Sequence, residues 1–379
     1  MKMKILTTRW LAVGIMAAAA FPARAQKAEY KWNELPVRGL LMSAPAKQDV
    51  GVFCEFVRNA LPKEGVNTLA IRIEYGYQYK SHPEVAEKNA LSESDVKQIV
   101  KAAREAKIRL IPTMNLMAHQ SEQSEMGPLL KAYPQFDESP DYNPPVPWKN
   151  GGMFDFYSKS ICPRHPDLLK VFFPMMDELT AAFEADALHV GLDEVWIIGY
   201  DKCPRCGGGD RSEIFAEYVN KLHAHLQQKG VQMWMWSDRL IDGKTTNLLA
   251  WQASMNDTHR AIDRISKDIV ITDWKYESAP PTPGYFALKG FNVLASPCSD
   301  TGVALDQLKQ VLHIRKDATR AEWALPLGQR MQGVFETMWF NSKEFIDAYY
   351  GRGEYRPLAK QNVTAFKALF KAIREAAKQ

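Results

Sequence analysis

Ala187-Leu-His-Val-Gly-Leu-Asp193-Glu194-Val-Trp196 opens as a short apolar run and closes on two adjacent carboxylates and an aromatic. Upstream, Pro166–Ala185 carries Leu169, Phe172, Phe173, Met176 and Leu179 at helical spacing, with Pro in the first turn. Downstream, Phe215, Val219, Leu222 and Leu226 line a second helix, which Gly230 closes. A strand set between two such helices is a βα unit of a parallel sheet covered on both faces.

The unit repeats along the chain. Gly39–Ala44, Thr68–Glu74, Ile108–Asn115, Ala187–Glu194, Val231–Ser237, Val270–Trp274, Asn292–Ser296 and Val334–Trp339 read as buried strands, and Leu248–Ala253 is a ninth candidate. Ser92-Glu-Ser-Asp95 has the form of a capping box ahead of Val96, Ile99, Val100 and Ala103. Phe366–Ile373 reads as a final amphipathic helix. Eight such units in about 350 residues predict an α/β fold of the (β/α)8 TIM-barrel type, in one domain over residues 26–379. Asp137–Gly152, rich in Pro, Tyr and Asn, reads as a long loop over the face where barrels do chemistry.

Composition narrows the partners. The chain of 379 residues is 46% apolar and 24% charged, which excludes disordered and collagen-like classes. Its formal charge of +4 arises from Lys2, Lys4, Arg9 and Arg24; without them 44 basic residues face 44 acidic ones. A balanced chain gives no electrostatic reason to expect nucleic acid or an anionic membrane. The three basic residues Lys2, Lys4 and Arg9, the apolar stretch Trp10–Phe21 and Ala23-Arg24-Ala25 form a signal peptide of residues 1–25, cut after Ala25. The expectation is an exported protein, periplasmic or secreted and bacterial, with no membrane anchor. Monomer and homodimer are both compatible with a barrel that closes its own core.

In a barrel, catalytic side chains stand at the C-terminal strand ends. Asp193 and Glu194 fall there, and adjacent, partly desolvated carboxylates are expected to push one pKa up towards that of a general acid. His-x-Gly-x-Asp-Glu at the end of a fourth strand resembles the signature of the family 20 glycoside hydrolases, the β-N-acetylhexosaminidases. Arg38-Gly39, Ile111-Pro-Thr-Met-Asn-Leu-Met-Ala-His119 and Ser160-Ile-Cys-Pro163 are similar to further segments of that family, in the same order and over roughly residues 36–340. The compact, hexosaminidase-D-like branch is the nearest in form.

The resemblance implies a retaining exo-hydrolase that removes terminal β-linked GlcNAc or GalNAc from glycans with no cofactor and no catalytic metal. The substrate's own 2-acetamido oxygen would be the nucleophile, an exception to the usual two-carboxylate scheme. It further implies that Glu194 is the acid and then the base. Asp193 would stabilise the acetamido N–H, and Tyr276 would hold its carbonyl. Arg38 would clamp sugar hydroxyls, and His119 would orient the acid. Trp236 and Trp339 would wall the pocket, with Trp251 or Trp274 as a further wall.

The chain also departs from the family pattern. Thr113 and Asn115 stand where carboxylates are usual, and Trp339-Phe-Asn341 puts Asn341 where a hydroxyl-binding Glu is common. These departures motivate a second reading, a family-20-like barrel that binds glycans without turnover. Cys203-Pro-Arg-Cys206, with Cys162-Pro-Arg-His165, leaves three states open: a local disulfide, a structural zinc site, or free thiols.

Overall fold

Eight parallel strands close on themselves in the computed structural model: β1 (Val37–Ser43), β2 (Thr68–Arg72), β3 (Arg109–Thr113), β4 (Ala187–His189), β5 (Gln232–Trp236), β6 (Val270–Trp274), β7 (Asn292–Ser296) and β8 (Met331–Thr337). Each pairs with its successor and β8 pairs with β1, so no barrel edge is left open. The structure describes residues 30–122, 125–142, 146–147, 153–154 and 159–379. The expected signal peptide and much of the 137–152 loop lie outside them. Residues 32–379 make one unit.

The helices follow the strands: α1 (Val50–Asn59), α2 (Glu93–Glu105), α3 (Leu168–Ala182), α4 (Arg211–Gln228), α5 (Thr282–Leu288), α6 (Thr301–Asp317), α7 (Ser342–Tyr350) and α8 (Pro357–Ala376). The capping box forms as read: the Ser92 hydroxyl accepts from Asp95 N–H, and the Asp95 carboxylate accepts from Ser92 N–H. None of the described helices is long and apolar enough to cross a membrane.

Two expectations change. Leu248–Ala253 is no strand but holds a single helical turn, Leu249–Gln252. Asn247 and Leu249 take left-handed φ values of 56° and 60°, which break an extended run, and the closed barrel has no edge to offer a ninth strand. β4 ends at His189, five residues earlier than its apolar pattern suggests.

Strand alternation divides the apolar residues into two cores. Val37, Leu41, Ala70, Ile111, Ala187, Trp234, Trp236, Val270, Trp274, Leu294 and Phe335 fill the barrel interior. The opposite faces of the strands pack against the helices. Three tryptophans in so narrow a lumen make it a filled core, with Trp236 and Trp274 at the C-terminal strand ends and Trp234 deeper.

Candidate active site

β4 stops because the backbone turns left-handed immediately after it. Gly191, Leu192 and Glu194 have φ of 70°, 68° and 51°, so the chain leaves the ladder and turns Asp193 and Glu194 into the barrel mouth. Gly191 is required twice over. Its φ suits only glycine well, and a Cβ there would sit 2.8 Å from the Asn115 Cα. Glu74 and His119 are left-handed too, with φ of 49° and 56°. Four of the nine described non-glycine residues with positive φ therefore ring one site, each storing ~1–3 kcal/mol of strain.

A buried pair fixes the turn from below. Glu194 N–H donates to Asp238 Oδ2 at 2.9 Å, and Arg239 Nε donates to the same oxygen at 2.7 Å. Arg239 then reaches the carbonyls of Ala250 and Ala253, while its guanidinium lies 4.8 Å from the Trp196 ring centroid. The segment carrying Trp251 and the turn carrying Glu194 are thus held by one arginine.

Asp193 is held from two sides. Asn115 Nδ2 donates to its Oδ1 at 2.6 Å, and His119 Nε2 lies 3.2 Å from Oδ2 and 3.6 Å from Glu194 Oε2. Asn115 Oδ1 in turn accepts the N–H groups of Met117 and Ala118, and Asn115 N–H donates to Glu74 Oε2 at 2.7 Å. Burial works against a charge on His119. The Asp193 carboxylate, reinforced by Glu194 and Glu74, overcomes it and pushes the imidazole up to about 9. Burial also works against Asp193, yet His119 holds its carboxyl below the usual range. Burial does raise the neighbouring Glu74 carboxyl. The like-charge repulsion expected between Asp193 and Glu194 is outweighed at Asp193 by an imidazolium.

The His119–Asp193 pair gives stability a defined pH window. The contribution of His119, whose pKa is raised, is complete below ~6.5 and is lost as pH rises through about 9; that of Asp193, whose pKa is lowered, is complete above ~3.9 and is lost on acidification. The Tm gap between wild type and His119→Gln is therefore expected to be widest between pH ~4 and ~6.5 and to shrink by pH 10. Thermal melts across that range measure it, and a gap that stays constant would refute the pairing.

Aromatic rings line the same mouth. Trp339 Nε1 donates to Tyr276 Oη at 2.8 Å, and Thr337 Oγ1, which donates to the Pro297 carbonyl at 2.9 Å, lies 3.2 Å from the same phenol oxygen. Burial pushes the Tyr276 phenol well up, and it lies near enough to Asp193 to feel that charge. Trp236 and Trp339 are 5.6 Å apart between centroids, Trp274 and Tyr276 5.2 Å, and Trp251 and Trp274 6.5 Å. Both Trp251 and Trp274 join the cluster.

Other expected residues stand elsewhere. Arg38 is the second residue of β1 and lies at the N-terminal end of the barrel, away from Asp193; its guanidinium donates to the carbonyls of Gly65 and Leu35. The arginine at the mouth is Arg72, at the end of β2, 5.6 Å from the Trp339 centroid. Asn341 is an exposed cap of α7, its Oδ1 accepting from Lys343 N–H. His189 is buried. Its Nδ1 accepts from Gly191 N–H, its Nε2 donates to Thr272 Oγ1, and burial lowers its pKa to about 3, so it is a neutral strut. His165 does not join the cysteines; its Nδ1 accepts from Asp167 N–H and its ring packs on Phe136.

Glu74, Asp238, Arg239 and Arg72 went unnoticed in the sequence. Glu74 had a signal, an acid at a strand's C-terminal end. The other three become visible only when β2 and β5 are set beside β8 and β4.

A closed (β/α)8 barrel with two carboxylates, a histidine and a tyrosine in an aromatic mouth defines a glycosidase-type site. Residues 68–320 match the glycosyl hydrolase family 20 catalytic domain, and the chain belongs to that family. It is 24% identical over 190 residues to lacto-N-biosidase of Bifidobacterium bifidum, covering 48% of this chain and 14% of that protein. It is 20% identical over 211 residues to β-hexosaminidase of Vibrio furnissii, covering 54% and 30%. The chain thus spans under a third of either relative. Among solved structures, Flavobacterium johnsoniae chitobiase superposes with TM-score 0.59 at 17% identity, over 90% of this chain and 51% of that one. Dispersin B superposes with TM-score 0.50 at 16% identity, over 90% and 99%. These superpositions establish a shared fold.

Proposed function

We propose that the chain is a retaining exo-β-N-acetylhexosaminidase that removes terminal β-linked GlcNAc or GalNAc by substrate-assisted catalysis. The observation that carries this reading is the state of Asp193. Both its oxygens are engaged, by Asn115 and by a charged His119, so it is a fixed negative charge and a poor candidate for an attacking nucleophile. A fixed anion is suited to the acetamido N–H, whose positive charge grows as its carbonyl oxygen attacks C1.

In this mechanism Glu194 gives its proton to the glycosidic oxygen as the C1–O bond breaks. The acetamido oxygen bonds to C1 from the opposite face, with Tyr276 donating to that oxygen and Asp193 accepting from the nitrogen. Glu194, now a carboxylate, takes a proton from water, which attacks C1 and reopens the ring with retained configuration. Trp236 and Trp339 offer apolar walls for the sugar's C–H faces, and Arg72 offers the mouth a cation for hydroxyls.

The test is release of 4-nitrophenol from β-GlcNAc, β-GalNAc and β-glucoside derivatives. The two acetamido sugars are expected to turn over and the glucoside to fall several orders of magnitude behind, because an internal nucleophile of effective molarity ~10^5–10^8 M is lost. A glucoside rate equal to the others would overturn the reading, and saturable sugar binding without turnover would identify a glycan-binding module instead.

A further inference from the structure

Outside the mouth, four groups that the mechanism does not use come together. A carboxylate oxygen of Glu138 and the sulfurs of Cys162, Cys203 and Cys206 all lie within 4.8 Å of one another, and all four residues are buried. The Cys162 sulfur is 3.5 Å from each of the other two. We propose that these four residues bind one structural Zn2+, with Glu138 in the place that the sequence pattern suggests for His165.

The spacing fits a shared metal better than any covalent pair. A disulfide needs ~2.05 Å between sulfurs, and no two of the five cysteines are bonded to each other. A tetrahedral zinc with Zn–S of ~2.3 Å places its sulfurs ~3.8 Å apart, close to the separations seen. Three soft thiolates and one carboxylate favour zinc over calcium or magnesium. Four protein ligands leave no open position, so the ion would be structural.

The backbone is already arranged for thiolates. Arg164 N–H points at the Cys162 sulfur, and the N–H groups of Arg205 and Cys206 point at that of Cys203. The Cys-Pro-Arg-Cys turn is tight enough to require Gly207, where a Cβ would fall 2.3 Å from the Asp201 carbonyl oxygen. Glu138 Oε1 accepts from Tyr200 N–H, whereas its Oε2 has no hydrogen-bond partner among the described residues.

The ion would join three segments beside the catalytic turn. Glu138 and Cys162 come from the two sides of the Asp137–Ile161 bridge, and Cys203 and Cys206 from the loop that leaves Glu194. Ser160 Oγ also donates to the Ile197 carbonyl, three residues beyond Glu194. The site therefore fixes where the loop after the catalytic pair can go, whatever sugar the mouth accepts.

The experiment is metal analysis of the full chain purified without chelator. About one zinc per chain is expected. Cys206→Ser should lose it, and His165→Ala should keep it. Should Cys206→Ser fail to fold, wild type is treated with chelator and titrated with Co2+ alone. Saturation near one equivalent, with thiolate-to-cobalt charge-transfer bands and tetrahedral d–d bands, supports the site. A metal-free wild type that develops no such bands, or a mass lacking two hydrogens from a Cys203–Cys206 disulfide, overturns it. Loss of zinc in His165→Ala but not in Glu138→Ala would overturn the ligand set.

Discussion

Glu194→Gln is expected to lower kcat on a 4-nitrophenyl β-GlcNAc substrate by ~10^2–10^4-fold with little change in KM, the range that follows removal of a general acid–base group. Glutamine keeps the shape of the side chain and leaves Glu194 N–H on Asp238, so the turn that Arg239 supports should persist. What is lost is the proton that leaves with the aglycone and the base that later activates water. Added azide gives this a sharp readout. An anion that needs no base should intercept the intermediate in Glu194→Ala and restore part of the rate, with a β-glycosyl azide as product. Rates within a few-fold of wild type in Glu194→Gln would remove Glu194 from the mechanism.

Asp193→Asn is expected to cost ~10^2–10^3-fold in kcat, or ~2.7–4 kcal/mol of transition-state stabilisation, as when a preorganised electrostatic group is removed. Two effects combine here. The acetamido nitrogen loses the anion that its developing charge needs, and His119 loses the carboxylate that contributes most to its charge. The imidazole pKa should therefore fall from about 9, which an NMR titration of His119 would follow. A large fall in rate with an unmoved His119 titration would mean that the pair drawn here is not the one operating in solution.

Much of the barrel was legible because its signals are local. Val270–Trp274 and Asn292–Ser296 match their strands residue for residue, and Ser92 with Asp95 announces α2 about one turn ahead of its buried face. The Asp193-Glu194 dipeptide drew notice because two carboxylates at a strand end conflict with burial, and the resemblance of the surrounding His-x-Gly-x-Asp-Glu motif gave it an expected role. Arg38 owed its role to the family resemblance alone: read at the opening of the Gly39–Ala44 strand, it already stood at the barrel end opposite the face where barrels do chemistry, and β1 does begin there, at Val37. The shortening of β4 was hidden, since Val190 and Leu192 are as apolar as strand residues and only their backbone angles end the ladder. Asn115 looked like a lost carboxylate. In the fold it is a hub, donating to Asp193 and accepting from two backbone amides, while the carboxylate of Glu74 approaches from β2.

The left-handed residues around the mouth set heat resistance and chemistry against each other. At Glu74, His119, Leu192 and Glu194 the chain holds side chains where glycine would rest more comfortably, by ~1–2 kcal/mol at each position. At Glu74 and Glu194 glycine would ease the backbone and empty the mouth, whereas at Leu192 it would forfeit a fully buried side chain and at His119 the ion pair with Asp193. Resistance to heat in this scaffold is better sought on the outward faces of α6 and α8, far from any residue whose discomfort is part of its job.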